Sequence, residues 1–121
     1  MEIKDLDHDE QLALVGLVEF IGESNREMTD EELERISNVA AALGPATYRR
    51  LAEEADQRFE DEEALRRFLA GAGRAEAREL VYATALEIAM GDTIQPSESQ
   101  LLDWLAKTWG IDVRFDGGAG S

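Results

Sequence analysis

Two polar stretches carry the side chains whose types and spacing could hold a cation. The first offers Glu23, Asn25, Glu27, Glu32 and Glu34, and the second Asp92 and Glu98. Hard ions such as Ca²⁺ and Mg²⁺ need several oxygens converging from a loop and the helix after it, and these stretches supply them in type. The spacing fits less well. Counted from Glu23, oxygens fall at loop positions 1, 3, 5 and 12, but position 6, where a sharp turn needs Gly, is Met28, and position 8 is Asp30. Acids at a helix start are also explained by capping and by the helix dipole. The expectation is no cofactor, with a weak Ca²⁺ or Mg²⁺ site at the turns as the alternative.

Other chemistry finds little support. There is no cysteine, which removes disulfides, thiolate ligands and thiol nucleophiles, and the single His8 sits among Asp7, Asp9 and Glu10 in a first helical turn. An imidazole there is a solvated side chain unless a nucleophile or second ligand is held against it. Neither a Gly-rich phosphate loop nor a Ser-His-Asp order is present, so the chain is expected not to be an enzyme. Arg49, Arg50, Arg58, Arg66, Arg67, Arg74 and Arg78 alternate with acids at three- and four-residue spacings, the pattern of surface ion pairs.

Six stretches show helical periodicity and none the alternation of a half-buried strand. The first starts at Asp7 and Glu10, spaced as a capping box, and runs to about Glu23 with Leu12, Leu14, Val15, Leu17, Val18, Phe20 and Ile21 spread around its circumference, so it is expected to be central. A second runs from Thr29 to Gly44, with Leu33, Ile36, Ala40 and Leu43 as its inward face. Pro45 opens a third carrying Tyr48, Leu51, Ala55 and Phe59, and a short fourth follows Asp61 with Ala64, Leu65, Phe68 and Leu69. The fifth spans Ala75 to about Met90 on a Leu80, Val81, Thr84 and Ile88 stripe; the sixth opens at Pro96 and faces inward with Leu101, Leu102, Leu105 and Trp109. Trp104 falls off that stripe, where it is either half-buried against another helix or offered to a partner. Leu14, Val18, Ile36, Leu80, Ile88, Leu102 and Leu105 are the expected core.

At 121 residues the chain suits one domain, here 8–111, preceded by an N-terminal segment 1–7 and followed by a Gly-rich tail 112–121. Its net charge of −15 disfavours direct nucleic-acid binding. The N-terminus is acidic where an export signal is basic, and the longest apolar run, Leu12 to Val18, is too short to span a bilayer, so a cytoplasmic protein without membrane insertion is expected. Residues 1–34 hold twelve acids against two bases, a local net charge of −10. Glu27, Asp30, Glu31 and Glu34 are therefore expected to form an acidic surface, with Trp104 as a further contact, suited to a basic protein partner.

An offset of 66 residues places Leu14 on Leu80, Val15 on Val81, Ile36 on Leu102, Val39 on Leu105, Glu32 on Glu98 and Gly44 on Gly110. The expectation is an all-α, duplicated helical-hairpin bundle of six to seven helices. An apolar helix, a short polar turn, one aliphatic residue, then Glu in an amphipathic helix ending in Leu-Gly or Trp-Gly-Ile resembles the tellurite-resistance TerB-like domains. The stretches that carry the likeness are Asn25-Arg26-Glu27-Met28-Thr29-Asp30-Glu31-Glu32 and Gly91-Asp92-Thr93-Ile94-Gln95-Pro96-Ser97-Glu98. Where that family often has Asp-Gly at the turn, this chain has Asn25-Arg26 and the inverted Gly91-Asp92. The resemblance implies an all-helical, internally repeated stress-response domain, with metal binding proposed for some members. The expected function is a non-catalytic acidic interaction or stress-response module; the alternatives are divalent-cation binding or sensing, and an acidic inhibitor or immunity-type protein masking a basic toxin, nuclease or DNA-binding protein.

Overall fold

The computed structural model describes residues 2–24, 30–71, 74–90 and 96–111. Among these, a short 3-10 turn at Ile3–Asp5 precedes six helices: α1 His8–Ser24, α2 Asp30–Leu43, α3 Pro45–Arg58, α4 Glu62–Gly71, α5 Ala75–Ala89 and α6 Pro96–Trp109. No strand occurs among the described residues. The tail 112–121 lies outside them.

Local chemistry sets the starts and stops. At α1 the Asp7 N–H donates to Glu10 Oε1 and the Glu10 N–H to Asp7 Oδ1, both at 2.8 Å, which satisfies two otherwise orphaned donors. At α4 the Asp61 carboxylate accepts the Ala64 N–H at 2.8 Å. A single residue, Gly44, joins α2 to α3, and it reverses the chain at φ +96°, a conformation that side chains with a Cβ rarely adopt. Pro45, with its φ preset and no N–H to satisfy, then begins α3. Gly110, at φ +67°, closes α6 as the Ile111 N–H reaches back to the Ala106 carbonyl at 2.9 Å.

The all-round apolar character of α1 has the expected outcome. Leu12, Leu14, Val15, Leu17 and Ile21 are each at most 1% exposed, because α1 packs chiefly on α3 and α5 and is also touched by α4 and α6. Gly16 permits a close approach to the α3–α4 corner. A Cβ there would lie 2.9 Å from both the Leu65 and Phe59 side chains, so α1 meets the α3–α4 corner with no room for a methyl group. Leu12 and Val15 form a small cluster with Leu51 and Ala55 of α3, while Leu14, Leu17 and Ile21 join the main core with Val81, Ile88, Leu101 and Leu105. Leu6, in the segment before α1, is also 4% exposed and belongs to that core. The Trp109 indole N–H donates to the Leu69 carbonyl at 2.7 Å, tying α6 to α4.

Two details of the expected core change. Ile36 and Leu80 are half-buried rather than buried, and Leu33 is 47% exposed. The reason on α2 is rotational. Its fully buried residues are Glu32 and Val39, seven apart on one line of the helix, and at 3.6 residues per turn Leu33 stands about 120° away from Val39. The inward face is thus 32, 36, 39 and 43, with an acid occupying one apolar place.

The 66-residue offset pairs some like positions and some unlike ones. Gly44 and Gly110 both have positive φ, and Val39 and Leu105 are both buried. Leu17 and Ile21, however, are buried where Ala83 and Glu87 are exposed. Packing differs too: α5 lies directly on α6, whereas α2 rests on α3, α5 and the N-terminal turn more than on α1.

Candidate functional site

The acidic surface expected at the start of α2 is built by the first two turns of that helix. Inward placement of Glu32 and Val39 directs Asp30, Glu31 and Glu34 outward, and all three are exposed. Among the described residues none of the three has a Lys, Arg or His nitrogen within 4.0 Å. Exposed Leu33 lies between them, so the patch combines negative charge with one apolar side chain. The helix N-terminus moderates mutual repulsion of these acids through its dipole.

The other expected site residues divide into several groups. Asn25, Glu27 and Asp92, and the side chains of Glu23 and Glu98, lie outside the described residues. Glu32 is described and is buried, at 1% exposure. No group of three His, Cys, Asp or Glu among the described residues is arranged to hold a metal ion. Trp104 is half-buried, with the Arg66 guanidinium 5.0 Å above its ring, so the α4 cation covers one face of the indole. His8 remains largely exposed, but its Nε2 lies 3.0 Å from Glu54 on α3, a pairing across the α1–α3 contact that the sequence does not announce. Arg58 with Glu54, Arg66 with Glu62 and Arg67 with Glu63 make the expected four-residue ion pairs.

Arg74 departs from that pattern. Its Nε and Nη2 reach both carboxylate oxygens of Glu10 at 3.0 and 2.9 Å, and its backbone N–H donates to Glu10 Oε2 at 2.9 Å. With the Asp7 N–H, this gives Glu10 four donors although its side chain is only 1% exposed. The Arg74 side-chain bond is the main cause that brings the Glu10 carboxyl down to about 2; burial opposes it, and the Arg74 and Asp7 backbone N–H groups add to it. The sole sequence signal was the capping box, which accounts for one of these four bonds. A partner 64 residues away could not be read from local spacing. On the opposite side of α1, burial and the nearby Glu19 charge raise the Tyr48 phenol to about 12, leaving it protonated at neutral pH.

Compared with family models, curated proteins and solved structures, the chain matches none. Its functional reading therefore rests on geometry. Among the described residues no helix is long and apolar enough to cross a membrane.

Proposed function

We propose that the chain is a non-catalytic interaction module, acting in the cytoplasm in the manner of TerB-like stress-response domains, that meets a basic protein through carboxylates at the start of α2. The observation that carries this reading is the exposed group Asp30, Glu31 and Glu34, unneutralised by any described cation and flanking exposed Leu33. A basic surface would gain long-range attraction from the net charge of −15 and a local contact from the leucine. The duplicated-hairpin relationship to TerB-like domains belongs to the same proposal. It is supported by the paired left-handed glycines, Gly44 and Gly110, that end the second helix of each copy. The unequal packing of the two helix pairs weighs against close symmetry.

The test is capture of partners by the whole chain from its native cell extract, alongside a Glu31→Lys/Glu34→Lys variant. A basic protein is expected to be retained, to be released as salt rises through the range where the screening length falls to about 8 Å, and to associate more slowly with the variant. Retention that is indifferent both to salt and to charge reversal would overturn the reading.

A further inference from the structure

A second acidic feature lies between α1 and the α3–α4 corner. Where α1 meets the α3–α4 corner there is an open cleft of about 170 Å³. It is lined by Phe20, Phe59, Ala55 and Leu65 around the methyl-free backbone of Gly16, and by the acidic residues Glu19, Asp56, Glu60, Asp61 and Glu62. No Lys, Arg or His lines it. Arg66 pairs with Glu62 and the Ala64 N–H is held by Asp61, but among the described residues Asp56 and Glu60 have no basic nitrogen within 4.0 Å.

We infer that this cleft seats one arginine or lysine side chain of a basic protein segment. Three features of the cleft define the occupant. Among its lining acids, Asp56 and Glu60 have no described cation to neutralise them, so a cation entering the cleft meets opposite charge there. Two phenyl rings beside the carboxylates suit a guanidinium or ammonium carried on a methylene stem, which gains both ring-face attraction and apolar contact. The volume decides the source. Pockets that enclose small ligands usually measure about 300–1,000 Å³, so a cleft of about 170 Å³ accepts one side chain of a larger partner rather than enclosing a free molecule.

The inference rests on the reading of the chain as the partner of a basic protein, and it names a seat on α1, α3 and α4 that is distinct from the patch on α2. The experiment titrates a tetra-arginine peptide into the ¹⁵N-labelled whole chain at low salt. Three backgrounds are compared: wild type, Asp56→Asn/Glu60→Gln in the cleft, and Glu31→Gln/Glu34→Gln on α2, which removes the same charge. Saturable shifts of the Gly16, Phe20 and Glu60 amides are expected in wild type. Affinity should fall about three- to tenfold in the cleft variant and by less in the α2 variant. Phe20→Leu, which leaves the charge unchanged, should also weaken binding, with circular dichroism confirming its fold. Equal weakening by the two charge variants would replace the seat with diffuse attraction. Loss only in the α2 variant would overturn the cleft while leaving the proposed module intact. Absence of any shift would overturn the cleft alone, since the capture experiment decides the module. Tighter binding of spermidine than of the peptide would assign the cleft to a free polyamine and overturn the protein occupant.

Discussion

Replacing Glu10 by Gln removes the charge that draws Arg74 onto the start of α1 while keeping nearly the same shape. The folded carboxyl titrates near 2 against an ordinary value of 4.5. A depressed carboxyl contributes stability that is fully present above its unfolded pKa and disappears as pH falls through its folded one, so the relevant window runs from about 4.5 down to about 2. Multiplying a shift of about 2.5 by about 1.4 kcal/mol per pKa unit gives about 3.5 kcal/mol at neutral pH. That is an upper figure, because the Arg74 side chain is 58% exposed and water competes for it. Urea unfolding of wild type and Glu10→Gln should therefore differ by about 2–3 kcal/mol at pH 7, and the two should converge near pH 2. Comparing the proteins matters because all the acidic residues other than Glu10, 26 of the 27, titrate in both, and neutralising them also relieves repulsion within a chain of net charge −15. Parallel stability curves between pH 5 and pH 2 would refute the argument, since they would mean that Glu10 binds its proton equally in both states.

Three further outcomes follow from the packing. Gly16→Ala should destabilise by about 1–3 kcal/mol in thermal unfolding despite the better helix propensity of Ala, because the added methyl would sit 2.9 Å from Leu65 and Phe59; an unchanged or raised midpoint would show that the corner yields easily. Leu102→Ala should cost about 2–5 kcal/mol in urea unfolding, since Leu102 is 4% exposed within the main core. Calorimetry on chelator-stripped protein should find no Ca²⁺ or Mg²⁺ site tighter than about 10⁻⁴ M. A saturable, tighter heat that Glu32→Gln abolishes would instead place an ion at the first turn.

The features legible in the sequence are those governed by neighbours along the chain. The Asp7–Glu10 box, the Gly44–Pro45 reversal, the four-residue Arg–Glu pairs and the central place of α1 each depend on residue types a turn or less apart, or on a helix with no polar side. Leu33 misleads because apolar spacing alone does not reveal that a first-turn acid, Glu32, is turned inward on α2. The Glu10–Arg74 bond and the His8–Glu54 contact join segments 64 and 46 residues apart, and only the assembled helices bring them together. Likewise the cleft needs Phe20 of α1 beside Asp56 of α3 and Glu60 of the corner, three positions with no shared periodicity. Of the acidic surface, the exposure of Asp30, Glu31 and Glu34 was readable from the helix pattern.

Both tryptophans stand on α6, and each lies beneath a guanidinium from a different neighbour, Trp104 under Arg66 of α4 and Trp109 under Arg78 of α5. Tryptophan emission, excited apart from Tyr48 of α3 and Tyr82 of α5, therefore reports the docking of the last helix and has no source on α2 or α3. Backbone ellipticity reports all six helices together. Where the chain unfolds in one step the two signals move together, and an emission change that leads the ellipticity would identify α6 as a unit that departs first.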